Sequence, residues 1–356
     1  MKNVLLRLLL IAVAYIPLNS VFAGTTTWEV AVLFLGNQEP EEYQKDIDAN
    51  IIELSRNSPS AALKISIYRE FTDRAYSFFP DPDSKVSTPW RSLVSNSDAP
   101  DFLVYGEFKS VDTAQGILEE SAALSTFLSK AFSSATSKRI LFIYGHGHAF
   151  RGIKGIPLHT LRTTLESALP TRPDQKAVDV LWLDSCFMSN TEAFYELKDL
   201  AHRFVASEDA EFSSGATFDA IQGSFEELNE KKTSDNSDEI ATSLARRFIE
   251  SYSILEDGSQ KKSVFSSAAT ISAVRAEALE GLATQLTTVQ KQIQKKLNKT
   301  ERAELNASIK KYQMEEDGIL DLGHLLMALR PKLVGTEKDT VNAILRNTLS
   351  ISSKKS

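Results

Sequence analysis

The chain has 356 residues, enough for one large α/β domain or for a core domain with a smaller appendage. Its formal net charge of −7 argues against nucleic acid or an anionic membrane as the main partner, and suits a protein or peptide substrate carrying basic side chains. A single cysteine excludes any disulfide within the chain.

Residues 1–23 read as a secretory signal peptide. Lys2 and Arg7 form a short positive region, residues 8–16 an uncharged apolar run, and Val21 and Ala23 the small residues before Gly24. That run is shorter than the roughly 20 residues a membrane span needs. No later segment is long or apolar enough to span, so the mature chain is expected in the periplasm or outside the cell, without stable membrane insertion. Cleavage removes Lys2 and Arg7 and no acid, taking the formal charge from −7 to −9.

Residues 28–35 (WEVAVLFL) predict a first, central strand. Tyr43, Ile47, Ile51 and Leu54 stripe one face of a helix over 41–56. Leu63, Ile65 and Ile67 alternate with polar residues, as in a strand. Between 72 and 100, Pro80, Pro82, Pro89 and Pro100 among Ser and Asp predict a long surface excursion. A strand is expected within 101–110, then a helix marked by Ile117, Leu124, Leu128 and Ala131. Residues 141–147 (LFIYGHG) are strand-like and end on His146-Gly147. Leu158, Leu161, Leu165 and Leu169 mark the next helix, and residues 180–186 (VLWLDSC) a second apolar strand ending on Cys186. A helix beginning near Asn190, a short strand over 203–207 and a helix over 238–252 follow. Residues 264–271 suit a strand near the sheet edge, and 272–298 a long polar helix whose basic end reads as a solvated face. Strands alternating with helices predict an α/β three-layer sandwich, a mostly parallel central sheet with helices on both faces. The core is placed at 24–260 and a mostly helical extension packed on it at 261–356.

The chemistry sits at the ends of the two apolar strands. A parallel strand delivers its last residues to the carboxyl edge of the sheet, where open α/β folds place their sites. If those strands are neighbours, a thiol and an imidazole meet there, as nucleophile and base of a cysteine hydrolase. Gly147 lets its own N–H face the site with no side chain intruding, and so reads as an oxyanion donor. Cys186, placed between strand and helix, is expected to gain from the positive end of that helix. A lone cysteine also fits a buried small hydrophobe. His146, His148 and Cys186 have the residue types of a zinc site, but no second ligand cluster supports one.

These motifs resemble the caspase-like cysteine peptidases, and within them the clostripain-like family. The resemblance rests on His146-Gly147, on Asp184-Ser185-Cys186-Phe187-Met188 with the Glu- and Tyr-bearing helix that follows, on Val205-Ala206-Ser207-Glu208-Asp209, and on residues 317–329 (DGILDLGHLLMAL). It implies the caspase-like fold and an endopeptidase in which Cys186 and His146 form the catalytic dyad. It also implies cleavage after arginine or lysine, with Asp184 as the acid that receives the cation. A second acid is expected after the next strand, at Asp209 or Glu208. Calcium is implied by the resemblance alone; no calcium-loop spacing is visible and no other cofactor is expected. Processing between the His and Cys motifs is expected at Lys176. The chain departs from the family at His148-Ala149-Phe150, where Gly-Gly-Trp is usual, and at Ser185, where alanine is usual. A catalytically silent binding protein and an acyl transferase using the same dyad are the alternatives.

Overall fold

Residues 27–36, 39–56, 63–71, 74–80, 87–89, 103–111, 116–173, 175–211, 218–230, 236–254, 270–309, 322–333 and 335–349 are described in a computed structural model. The expected signal peptide and part of residues 317–329 lie outside them.

Among the described residues one mixed sheet runs through the molecule. Its strands are β1 (Trp28–Phe34), β2 (Leu63–Glu70), β3 (Ala75–Pro80), β4 (Ser87–Pro89), β5 (Leu103–Val111), β6 (Lys138–Tyr144), β7 (Val178–Asp184), β8 (Ala201–Ala206) and β9 (Ser272–Arg275), in the order β4-β5-β3-β2-β1-β6-β7-β8-β9. The central strands β2, β1, β6, β7 and β8 pair in parallel, while β3, β5, β4 and β9 pair antiparallel at the two edges. β1 and β7 are buried at every position, the burial that parallel strands covered on both faces require.

Helices cover both faces. On one lie α2 (Ser121–Ala131), α3 (Leu158–Ala168), α4 (Thr191–Leu197) and the start of α7 (Ala276–Lys296). Leu124, Leu161, Leu165, Phe194 and Leu279 there pack on Leu33, Leu141, Leu181 and Leu183. On the other lie α1 (Glu41–Arg56), α5 (Phe218–Glu230) and α6 (Ser237–Ile254). Ile47, Ile51, Phe218, Phe225, Ile240 and Phe248 pack there on Val30, Val32, Phe142 and Trp182. The split follows the strand period of two: in β1 and β6 the odd-numbered residues feed the first core and the even-numbered ones the second. Truncating a fully buried leucine such as Leu161 to alanine costs about 2–5 kcal/mol. This is a three-layer α/β sandwich, as the alternation of strands and helices predicts.

The remaining described helices are α8 (Lys299–Ile309), α9 (Leu322–Leu329) and α10 (Thr336–Leu349). They form a separate apolar cluster with the far end of α7, through Val289, Leu305, Leu326, Leu329, Val341 and Ile344.

Two expectations change. The surface excursion contains β3, because Ala75 and Phe79 alternate with Tyr76 and Phe78 and so feed both cores, which buries Phe78 and Phe79. The strand expected near residues 264–271 forms at 272–275, directly before α7; residues 264–269 lie outside the described ones. This edge strand and the first turns of α7 join the sheet core although they follow residue 260.

At the amino edge of the sheet Asp179 is buried. It accepts from Lys138 Nζ at 3.0 Å, the Arg139 amide at 2.9 Å, Arg172 Nη1 at 2.7 Å and Ser237 Oγ at 3.1 Å. Among the described residues no helix is long and apolar enough to cross a membrane.

Candidate active site

β6 and β7 are adjacent and parallel, with Tyr144 level with Asp184. His146 and Cys186 each lie two residues beyond that pair, so the two leave the sheet at one height. The Gly145 amide donates to the Asp184 carbonyl at 3.3 Å and carries the pairing one residue further. Beyond it the Gly147 backbone lies against the Ser185–Cys186 peptide. A Cβ on Gly147 would lie 2.3 Å from the Cys186 carbonyl oxygen, 2.9 Å from its nitrogen and 2.9 Å from Ser185 Cβ. Glycine is required here by space rather than by dihedral, since the left-handed residues nearby are Ala149, Gly152, Lys154, Gly155 and Phe187.

A tight turn over 148–156 follows, held by hydrogen bonds from His148 N to Gly152 O and from Lys154 N to His146 O, at 2.9 and 2.8 Å. These two bonds form the bridge between Gly147 and Ile153 and leave the Gly147 amide itself out of the pairing. Ala149, with φ of 53°, occupies a position where the resembled family has glycine, and packs with Phe187 against Cys186.

The Cys186 thiol is half-buried. The Glu211 amide donates to Sγ at 3.3 Å, and the thiol faces the Glu211 carbonyl at 3.8 Å. The expected helix dipole does not reach it. α4 begins at Thr191, capped by Asn190, whose Oδ1 accepts from the Ala193 amide at 2.8 Å, and a helix terminus acts within about one turn.

Beneath the thiol Asp184 is 2% exposed. Its carboxyl meets that of Glu211 in a hydrogen bond that only a protonated member can donate. Burial first, and then the Asp184 charge, push Glu211 well above the usual carboxylate range. Glu211 Oε1 is buried without a hydrogen-bond partner among the described residues. Asp209 is turned elsewhere: its Oδ1 accepts from the Ala210 amide at 2.8 Å, and its carbonyl from the Phe187 amide at 3.1 Å. Glu208 reaches Ser272 Oγ at 2.8 Å, toward β9. The acid beside Asp184 is therefore Glu211 and not Asp209. Nothing in the sequence separates it from its two acidic neighbours, because the turn at Ser207 that decides their directions is made with Thr270.

The imidazole is half-exposed. Its Nε2 lies 3.1 Å from Glu39 Oε2, and the ring stacks on Tyr43 at 4.8 Å between centroids. Tyr43 in turn stacks on Tyr144; burial, foremost, raises both phenols and keeps them neutral. Glu39 is a second site residue that sequence reasoning missed, since it lies in the acidic stretch before α1 and outside every motif. A cleft of about 320 Å³ opens beside His146, lined by Glu39, Glu70, Glu119, His148 and Lys154. Lys176 is half-buried with its ammonium on the Lys198 carbonyl, and Arg172 is locked on Asp179.

The Clostripain family profile (peptidase C11) matches residues 106–348, more than half of the chain and including both strand ends. The chain belongs to the clostripain family. It is accordingly a cysteine-type endopeptidase. A secreted C11 cysteine protease from Bacteroides thetaiotaomicron, solved with an irreversible peptide inhibitor, superposes with a TM-score of 0.63 at 14% identity. That match covers 92% of this chain and 83% of the other. An inactive zymogen C11 protease from Parabacteroides distasonis gives 0.60 at 16% identity, with coverage of 92% and 83%. At these identities the likeness concerns the fold. No curated protein matches the sequence. This clostripain-family member thus carries its only thiol and an imidazole level with each other, two residues beyond the ends of adjacent strands, with a buried acid pair below the thiol.

Proposed function

We propose that this chain is an exported cysteine endopeptidase that cleaves after arginine or lysine, with Cys186 as nucleophile and His146 as its proton partner. The observation that carries the reading is the seating of the Gly147 backbone on the Ser185–Cys186 peptide, which brings the two motifs into one site. The Cys186 sulfur attacks the scissile carbonyl. The Gly147 amide, left out of its own bridge, donates to the developing oxyanion. The imidazolium gives its proton to the departing amine, and water then releases the acyl group from sulfur.

Specificity is assigned to Asp184 together with Glu211. A basic side chain entering beneath the thiol displaces the proton the two acids share and meets two carboxylates, a geometry that favours bidentate guanidinium. Asp209 supports this pocket through its backbone bond to Phe187. Neither nucleic acid nor a stable membrane insertion enters the reading, and calcium remains an implication of the family resemblance only. Export rests on the signal-peptide layout of residues 1–23; the mature protein is expected to begin at Gly24 on N-terminal sequencing. The secreted relative from Bacteroides thetaiotaomicron supports the same assignment.

The test is hydrolysis of fluorogenic peptides ending in Arg, Lys, Asp or Leu by the mature protein, beside Cys186→Ala. Turnover confined to Arg and Lys, and abolished in the variant, is expected. Turnover of Asp or Leu peptides instead would remove the role given to Asp184 and Glu211. Transfer of the acyl group to an added amine in preference to water would move the reading to an acyl transferase.

A further inference from the structure

His146 is half-exposed, and an imidazole in that setting turns freely unless something holds it. Three groups do so, and two arrive from the amino end of α1. Glu39 places Oε2 at 3.1 Å from Nε2, and Tyr43 lays its ring under the imidazole with 22° between the planes. The third is Lys154, whose amide donates to the His146 carbonyl at 2.8 Å and whose ammonium grips the other oxygen of Glu39. Lys154 thus fastens the backbone of His146 and, through Glu39, its ring. The Glu39 side chain is only 7% exposed although the ring it meets is 50% exposed.

The start of α1 is itself pinned. Arg69, fully buried at the end of β2, donates to Gln44 Oε1 at 2.7 Å and Asp48 Oδ1 at 3.0 Å, and the Gln44 amide donates to the Gly36 carbonyl. That network fixes both flanks of the loop carrying Glu39.

We propose that Glu39 is the positioning residue of the His146 imidazole, resting on the function proposed above for that ring. An ionised carboxylate can only accept, so the contact requires a proton on Nε2. In the neutral ring the lone pair then lies on Nδ1, the nitrogen left for exchange with the thiol and the leaving amine. During acylation the C–S bond forms, the C–N bond breaks and the Nδ1 proton leaves with the amine. During deacylation water adds to the acyl carbon, Nδ1 takes the water proton and the C–S bond breaks. The Nε2 proton stays on Glu39 throughout. Lys154, paired with the other oxygen of that carboxylate, keeps it aimed.

The experiment uses the full mature chain as wild type, Glu39→Gln, Glu39→Ala and Lys154→Met, with thermal melting to confirm folding. The first readout is the tautomer of His146 by ¹⁵N-histidine NMR, assigned with His146→Gln; the second is the split between kcat and KM on an Arg peptide. Wild type is expected to show Nε2–H, and Glu39→Ala a mixture of tautomers. Glu39→Ala is expected to lower kcat about tenfold to hundredfold while KM stays within about threefold. Glu39→Gln, whose amide oxygen still accepts, is expected to lose less, and Lys154→Met to fall between it and wild type. Should Glu39→Ala not fold, Glu39→Gln and Lys154→Met carry the same comparison. An unchanged tautomer, or a loss residing wholly in KM, overturns the proposal. If wild type cleaves no peptide, the proposed function fails, and the tautomer alone decides whether Glu39 orients the ring.

Discussion

Two buried carboxyls that share a proton make Glu211 the residue whose removal separates stability from function. Its folded-state pKa is raised, by burial first and then by Asp184. The contribution of such a group to stability is fully present below the unfolded carboxylate value of about 4.3, and is lost as pH rises through the folded value. Glutamine cannot ionise and does not suffer that loss. Glu211→Gln is therefore expected to melt about 2 °C above wild type at pH 8, with the gap closing near pH 4, as calorimetry across that range would show. The same variant is expected to lose about tenfold or more in kcat/KM on Arg peptides. A variant less stable at pH 8 than wild type would contradict this account. Asp184 was legible as an acid two residues before the cysteine, whereas Glu211 was not, because the turn that precedes it is held by Thr270, far along the chain.

Among the elements, the strands and most helices followed from hydrophobic pattern. β1, β6 and β7 are buried runs, the last two leading out to His146 and Cys186, and the leucine stripe of α3 faces the core as its spacing requires. What stayed hidden lies in turns set by contacts distant in sequence. The segment after Cys186 is not yet helical, and Phe187 takes φ of 60° before Asn190 caps α4. Glu39 owes its place to Arg69 and Lys154 rather than to any local signal. At the loop between β6 and α3, Gly147→Ala tests the element directly. Its methyl meets Cys186 backbone at 2.3 Å, so one of the two turns must move. A stability loss of about 1–3 kcal/mol and at least about hundredfold lower kcat are expected, read by denaturant melts and by peptide hydrolysis. Retention of full activity would show that the two turns tolerate separation.

On the scale of the whole molecule, the amino edge of the sheet is tied by Asp179. Burial acts to raise this carboxyl, but the Arg139 amide and the Arg172 and Lys138 side chains outweigh it and hold Asp179 below the usual range. Its contribution is present above the unfolded value of about 3.9 and is lost as pH falls through the lower folded value. Asp179→Asn leaves Arg172 buried without its charge partner, and is expected to cost about 3–5 kcal/mol at pH 7 and progressively less under acid, by denaturant titration. The helix α7 has its first turns in the sheet core and its far end in the helical cluster. Pulled from the carboxyl terminus, the chain would yield in two steps. The α8–α10 cluster, joined to the rest through α7, would peel away first. The rupture would then halt where β9 is laced antiparallel to β8, so the molecule has a mechanical stop between its helical end and the strands that hold its thiol.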